Sequence, residues 1–194
     1  MDELTRPVDQ KKDRFFIETL KFTLLALIIV LPIRYFVAQP FIVSGASMDP
    51  TFYDGQYLVV DQLSKDFSAP ARGEVIVFRA PPDPSKYFIK RVIGLPNETV
   101  EIKGSDVYII NKDHPDGFKL DEPYVYPANK STGDDIKVTL GPNEYFVMGD
   151  NRRASSDSRA WGAVPASDLI GRPVLRLFPV NKATVLPGNY SYQK

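Results

Sequence analysis

Tyr87-Phe-Ile-Lys-Arg-Val-Ile-Gly94 is an apolar run with two adjacent cations at its centre and a glycine at its end. Side chains alternate between faces along a strand, so this run puts Phe88, Lys90 and Val92 on one face and Tyr87, Ile89, Arg91 and Ile93 on the other. Similar short runs extend outward in both directions: Tyr57–Asp61 and Glu74–Arg79 before it, then Thr99–Lys103, Val107–Ile110, Ile136–Leu140, Tyr145–Met148 and Arg172–Phe178. Turn residues separate them, among them Asp54-Gly55, Arg72-Gly73, Pro81-Pro82-Asp83-Pro84, Gly94-Leu-Pro96 and Gly141-Pro142. The pattern predicts a mostly β domain over residues 39–194. The polar, weakly periodic stretch from Asp113 to Asp135 lies within a small non-catalytic excursion, about residues 104–143.

Composition narrows the chemistry. The 24 basic and 24 acidic residues give no formal net charge, which speaks against nucleic acid as a partner. There is no cysteine, so disulfides, thiolate nucleophiles and cysteine-held zinc are excluded. The single histidine, His114, sits in Lys-Asp-His-Pro-Asp-Gly, a turn sequence. A hydrolase built from this chain is expected to work without an imidazole base, without a metal and without a cofactor.

Ahead of the β domain the composition shifts, from a polar start at residues 1–16 to the run Phe22-Thr-Leu-Leu-Ala-Leu-Ile-Ile-Val-Leu31. About 20 helical residues are needed to cross a bilayer, so a span would occupy residues 17–38, with Lys21 and Arg34 near its ends. An uncleaved anchor, a cleaved secretory signal and a buried core helix compete for this segment. The flanks favour the anchor, because cleavage after Ala38 would leave bulky Phe36 three positions before the cut, where a small residue is needed, and Pro40 two positions after it. Arg6, Lys11, Lys12 and Arg14 precede the run, and after Arg34 no basic residue comes before Lys65. That asymmetry predicts a single-pass protein with a cytoplasmic N-terminus and an extracytoplasmic β domain.

Three segments carry candidate chemistry. In Ser44-Gly-Ala-Ser47-Met-Asp-Pro-Thr51 small residues precede a serine whose backbone N–H is free to face a developing oxyanion. In the opening run, burial of Lys90 would lower its pKa and leave a neutral amine able to take a proton from a hydroxyl. In Met148-Gly-Asp-Asn-Arg-Arg-Ala-Ser-Ser-Asp-Ser-Arg-Ala-Trp-Gly162 hydroxyls crowd into an ordered loop where Ser155 or Ser156 could orient such an amine.

Taken in order, these segments resemble the type I signal peptidases, membrane-bound Ser/Lys enzymes that remove signal peptides from exported proteins. The resemblance covers nearly the whole chain. It rests on the apolar segment, Ser44–Thr51, Tyr57-Leu-Val-Val60, Arg72-Gly-Glu-Val-Ile-Val-Phe78, Phe88–Pro96, Met148-Gly-Asp-Asn-Arg152 and Ser155-Ser-Asp-Ser-Arg159. It implies a β domain of coiled antiparallel sheets behind one transmembrane helix, in a plasma or thylakoid membrane. It further implies Ser47 as nucleophile, Lys90 as base and Ser155 as the hydroxyl that orients the amine. Asp150 would pair with Arg91, and Asp157 with Arg159. Phe41, Val43 and Ile89 match positions lining shallow substrate pockets, which implies cleavage after small residues in an Ala-x-Ala pattern. Gly45 stands where some members carry a serine in the oxyanion hole, leaving the Ser47 N–H and the Ser44 hydroxyl as candidate donors. Asn97-Glu98 and Arg153-Ala154 also depart from the family pattern. The implied partners are preprotein signal peptides and the lipid bilayer, and the protein is expected to act as a monomer. A self-cleaving Ser/Lys repressor would need a DNA-binding half ahead of Ser47. A β domain that only binds partners would leave Ser47, Lys90 and Ser155 without a role.

Overall fold

The computed structural model describes residues 10–32, 38–130, 133 and 135–192. Its first element is helix α1, Gln10–Pro32. Large apolar side chains from Phe15 to Leu31 stand exposed along α1. Arg14, Glu18 and Lys21 interrupt its first half, and among the described residues no helix is long and apolar enough to cross a membrane. The segment expected to span residues 17–38 therefore differs at both ends. Its helix begins seven residues earlier, residues 33–37 with Arg34 lie outside the described residues, and Ala38 already opens strand β1, Ala38–Ile42. The polar residues 1–9 also lie outside them.

The β domain contains β2 (Tyr57–Asp61), helix α2 (Ser64–Phe67), β3 (Val75–Ala80), β4 (Asp83–Gly94), β5 (Thr99–Lys103), β6 (Asp106–Ile110) and β7 (Phe118–Lys119). It continues with β8 (Ile136–Thr139), β9 (Glu144–Met148), helix α3 (Ser158–Trp161), β10 (Val164–Pro165), β11 (Leu169–Phe178) and β12 (Thr184–Val185). Two antiparallel sheets result. The larger has the order β1-β2-β11-β3-β4-β9-β10, with β12 on β11, and the smaller has the order β7-β6-β5-β8. The eight strands expected from alternation are all present. β1, β7, β10 and β12 are too short or too close to prolines to show a period.

Pro81-Pro82-Asp83-Pro84 does not end the strand where expected. β4 starts at Asp83, and its ladder with β3 pairs Ala80 with Asp83 and Arg79 with Tyr87. Pro84, Ser85 and Lys86 bulge out between those pairs, where a missing N–H costs nothing. The excursion expected from about residue 104 belongs to the smaller sheet, which already starts at Thr99. Gly94 is the joint between the sheets. A Cβ there would come within 2.4 Å of Val100 and 2.8 Å of Leu140, so only glycine lets β4 turn away from the first core into the second.

β4 is the central element because every part of the core touches it. Phe88 and Val92 pack with Ile76, Phe78, Val147 and Trp161. Ile93 joins Val100, Ile109 and Phe146 under the smaller sheet. Ile89 joins Val43, Met48, Phe52, Leu58 and Val75 beneath the Ser44–Thr51 turn. From Lys90 to Gly94 every residue is buried. Simple alternation would have left one face wet; with both faces covered, two cations are taken out of water side by side.

Candidate active site

Lys90 and Ser47 come from segments 43 residues apart. The ladder puts Lys90 opposite Ile76 on β3 and aims its side chain at the Ser44–Thr51 turn. The turn is stitched to its surroundings by backbone bonds from Val43 N–H to Gln56 and from Phe52 N–H to Met48. The Asn151 N–H donates to the Ser47 carbonyl at 3.1 Å, tying the turn to the segment after β9. Lys90 Nζ lies 2.7 Å from Ser47 Oγ and 3.0 Å from the Ile89 carbonyl. Lys90 is 3% exposed. Burial lowers its pKa from 10.5 to about 8, against the opposing pull of Asp157 and Asp150. A neutral amine has one lone pair, and the Ser47 hydroxyl is within reach to donate to it.

The neighbouring cation is treated in the opposite way. Arg91 holds Asp150 through both carboxylate oxygens, Nε at 2.8 Å and Nη2 at 2.6 Å. Its Nη1 donates to the carbonyls of Gly73 at 2.6 Å and Gly188 at 2.7 Å. The Tyr124 ring lies over the guanidinium at 4.0 Å. Thr51 Oγ1 donates to the same Asp150 carboxylate, so the pair also secures the end of the Ser47 turn. Asp157 takes Arg159 through both oxygens, each at 2.8 Å, and accepts the Gly149 N–H at 3.0 Å. Burial alone would raise the Asp157 pKa; Arg159 and the Gly149 N–H outweigh it and hold the acid low.

Ser155 is not bonded to Lys90. Its hydroxyl is buried with no partner at hydrogen-bond geometry, although it is near enough to Asp157 to help hold that acid's pKa down. Gly149 explains how closely these groups approach. A Cβ on Gly149 would come within 2.3 Å of both Ser155 Oγ and the Ser47 carbonyl oxygen. Phe41, Val43, Ser44, Gly45, Ser47, Ile89 and Lys90 all line one cleft of about 290 Å³. Gly45 has φ +86°, and its N–H is taken by Asp54 at 2.7 Å. Among the described residues no group accepts the Ser47 N–H.

A serine hydroxyl against a buried amine of lowered pKa, in the lining of an open cleft, has the parts that a nucleophile and its base require. The family model described as Signal peptidase, peptidase S26, matches residues 16–178. The chain belongs to this family. A signal peptidase I from Leptolyngbya laminosa is 38% identical over 94% of this chain and 89% of that protein. A probable signal peptidase I-1 from a Synechocystis strain is 37% identical over 87% and 86%, and signal peptidase I T of Bacillus subtilis is 34% identical over 92% and 93%. A solved signal peptidase I from Enterococcus faecalis is 32% identical, with a TM-score of 0.46, over 54% of this chain and 97% of that one. As a signal peptidase I of the S26 family, the chain is a serine endopeptidase that removes signal peptides from preproteins.

For this peptidase, sequence reasoning missed several supports. Tyr87 packs edge-on against Phe41, with ring centres 5.3 Å apart, and lines the cleft. Glu122 receives both ends of the Arg152 guanidinium, and Arg152 Nε donates to the Gly149 carbonyl. Glu122 and Tyr124 come from the aperiodic excursion, where no local pattern marks them. Gly149 and Asn151 lie inside Met148–Arg152, but a glycine without a side chain and a backbone N–H leave no pattern in the sequence. Glu98, one of the departures from the family pattern, accepts Arg72 at 2.6 Å and the Leu95 N–H at 2.8 Å, so the Gly94–Glu98 turn is closed by its carboxylate.

Proposed function

We propose that Ser47 is the nucleophile and Lys90 the general base, and the observation that carries this is the 2.7 Å contact between Ser47 Oγ and a buried Lys90 Nζ. Lys90 takes the Ser47 proton, Ser47 Oγ attacks the scissile carbonyl, and the protonated amine gives its proton to the leaving nitrogen. Water activated by Lys90 then hydrolyses the acyl-enzyme. The Ser47 N–H is the first oxyanion donor; the Gly45 N–H is committed to Asp54, and the Ser44 hydroxyl at the cleft is the second candidate. Ser155, with no competing partner, is available to turn toward the neutral amine and orient it. Arg91–Asp150 and Arg159–Asp157 hold the frame.

An extended peptide fits between Ile42–Ala46 and Tyr87–Lys90, both of which line the cleft. β9 pairs with β4 only from Arg91 onward, so the earlier part of that β4 edge is free for backbone hydrogen bonds. Phe41, Val43 and Ile89 wall the cleft, which favours small side chains beside the cut and supports Ala-x-Ala selection by exclusion. The apolar side chains exposed along α1, and the basic residues that precede Phe22, support a membrane anchor with the β domain on the trans side. The test is cleavage of signal-bearing precursors by the purified chain, with cut sites read by mass spectrometry. Cutting after small residues is expected, with none by Ser47→Ala or Lys90→Ala. Cleavage surviving in either variant would sink the assignment.

A further inference from the structure

The segment Leu186–Tyr192 is short and polar, yet it reaches the centre of the molecule. Its Gly188 carbonyl is one of four acceptors bound by Arg91. Its Tyr190 carbonyl lies so close to Gly73 that a Cβ there would sit 2.2 Å away. Gly188 itself, at φ +74°, passes Thr51 and Phe52 with room for no side chain, a Cβ meeting them at 2.6 and 2.8 Å. The Tyr192 hydroxyl meets the Tyr124 hydroxyl at 2.5 Å, and Tyr124 is the ring stacked on Arg91. Tyr190 packs edge-on against both, its ring centre 5.3 Å from that of Tyr124 and 4.9 Å from that of Tyr192.

We infer that Leu186–Tyr192 is a positioning strap for the catalytic pair, in which Tyr192 acts through Tyr124 and Arg91 to hold Lys90 against Ser47. The guanidinium is closed in from two sides, by the strap's Gly188 carbonyl at Nη1 and by the Tyr124 ring, which the strap's Tyr190 and Tyr192 contact, on its face. Arg91 is bonded to Lys90 along the backbone, so a guanidinium that cannot turn fixes β4 where the amine leaves it. The same guanidinium holds Asp150, which accepts from Thr51 at the end of the Ser47 turn. One clamp thereby sets both reacting groups. The strap also covers Arg91, while Lys90, which leaves the opposite face of β4, feels it only through the backbone. Tyr192 and Tyr124 touch neither substrate nor the reacting atoms and are positioning residues.

This rests on the Ser47 and Lys90 assignment, whose own failure would show separately as cleavage by Ser47→Ala. The test uses the full chain carrying Tyr192→Ala or Tyr192→Phe, with kcat and KM for a signal-bearing precursor followed from about pH 7 to about pH 10, together with the unfolding midpoint. For Tyr192→Ala, kcat at neutral pH falls about tenfold, since small misplacements of reacting groups cost rate rather than binding, and KM stays put. A β4 no longer held at Arg91 lets the Lys90 amine leave its packed, buried site, so the midpoint of the pH profile moves upward and part of the loss is recovered at high pH. Tyr192→Phe keeps the ring, loses only the hydroxyl contact, and shows a smaller loss with a shift in the same direction. A profile unmoved in both variants overturns the inference, as does a loss equal at every pH that tracks the fraction unfolded.

Discussion

Lys90 and Arg91 are consecutive residues on one strand, both cationic in water and both almost wholly buried, and the protein handles them in opposite ways. Arg91 is given a carboxylate, two carbonyls and an aromatic face. Lys90 is given one hydroxyl, one carbonyl and the Phe88 ring at 5.2 Å, and among the described residues no carboxylate touches it. The arginine holds the frame together. The lysine is pushed toward its neutral form, which is the form that can take a proton from Ser47. On the proposed assignment, reactivity comes from withholding a carboxylate partner. The type of residue suits the task, because a guanidinium cannot be deprotonated in a protein and an amine can.

The contrast can be broken first at Arg91. Arg91→Met leaves Asp150 buried and uncompensated and strands two carbonyls, so the fold loses about 3 to 5 kcal/mol, measured by urea unfolding. Lys90→Met moves stability the other way. Below about pH 8 Lys90 is protonated in both folded and unfolded chains, and the folded form bears the full cost of burial. The shift from 10.5 to about 8 corresponds to a cost of about 3 kcal/mol, which Lys90→Met removes at neutral pH. As pH rises from about 8 toward 10.5 the folded chain has released its proton and the unfolded chain still binds one, so native stability climbs and the advantage of the variant fades. Unfolding curves at several pH values check both sign and window. The smallest effect on stability belongs to Ser155→Ala. Its hydroxyl is buried without a partner, so its removal changes stability by less than about 1 kcal/mol. Cleavage nonetheless drops about tenfold or more if Ser155 orients the neutral amine, as measured by kcat on a precursor.

Legibility in the sequence followed periodicity. The eight longer strands announce themselves because each alternates or runs apolar between turn residues, whereas β7, β10 and β12, of two residues each, have no period to read. β1 was hidden by its position directly after the apolar segment, with Pro40 inside it. Alternation along Tyr87–Gly94 located the faces but not the burial of both, since that depends on β9, the smaller sheet and the Ser47 turn all arriving from elsewhere. Ser47, Lys90 and the two ion pairs were visible through ordered motifs. Tyr124, Glu122 and the Leu186–Tyr192 segment were not, because a polar side chain recruited from a loop 30 or more residues away leaves no local mark.

The central claim is that Lys90 is the base because burial brings its pKa down to about 8, where a neutral amine becomes available. Its most direct measure is an NMR titration of the lysine side chains in the full chain, with the Lys90 signal assigned by its loss in Lys90→Met. The account predicts one lysine that titrates near 8, apart from the rest, at the same midpoint as the rise in cleavage rate. A Lys90 signal that titrates at the ordinary value of 10.5 while cleavage proceeds at pH 8 would contradict it.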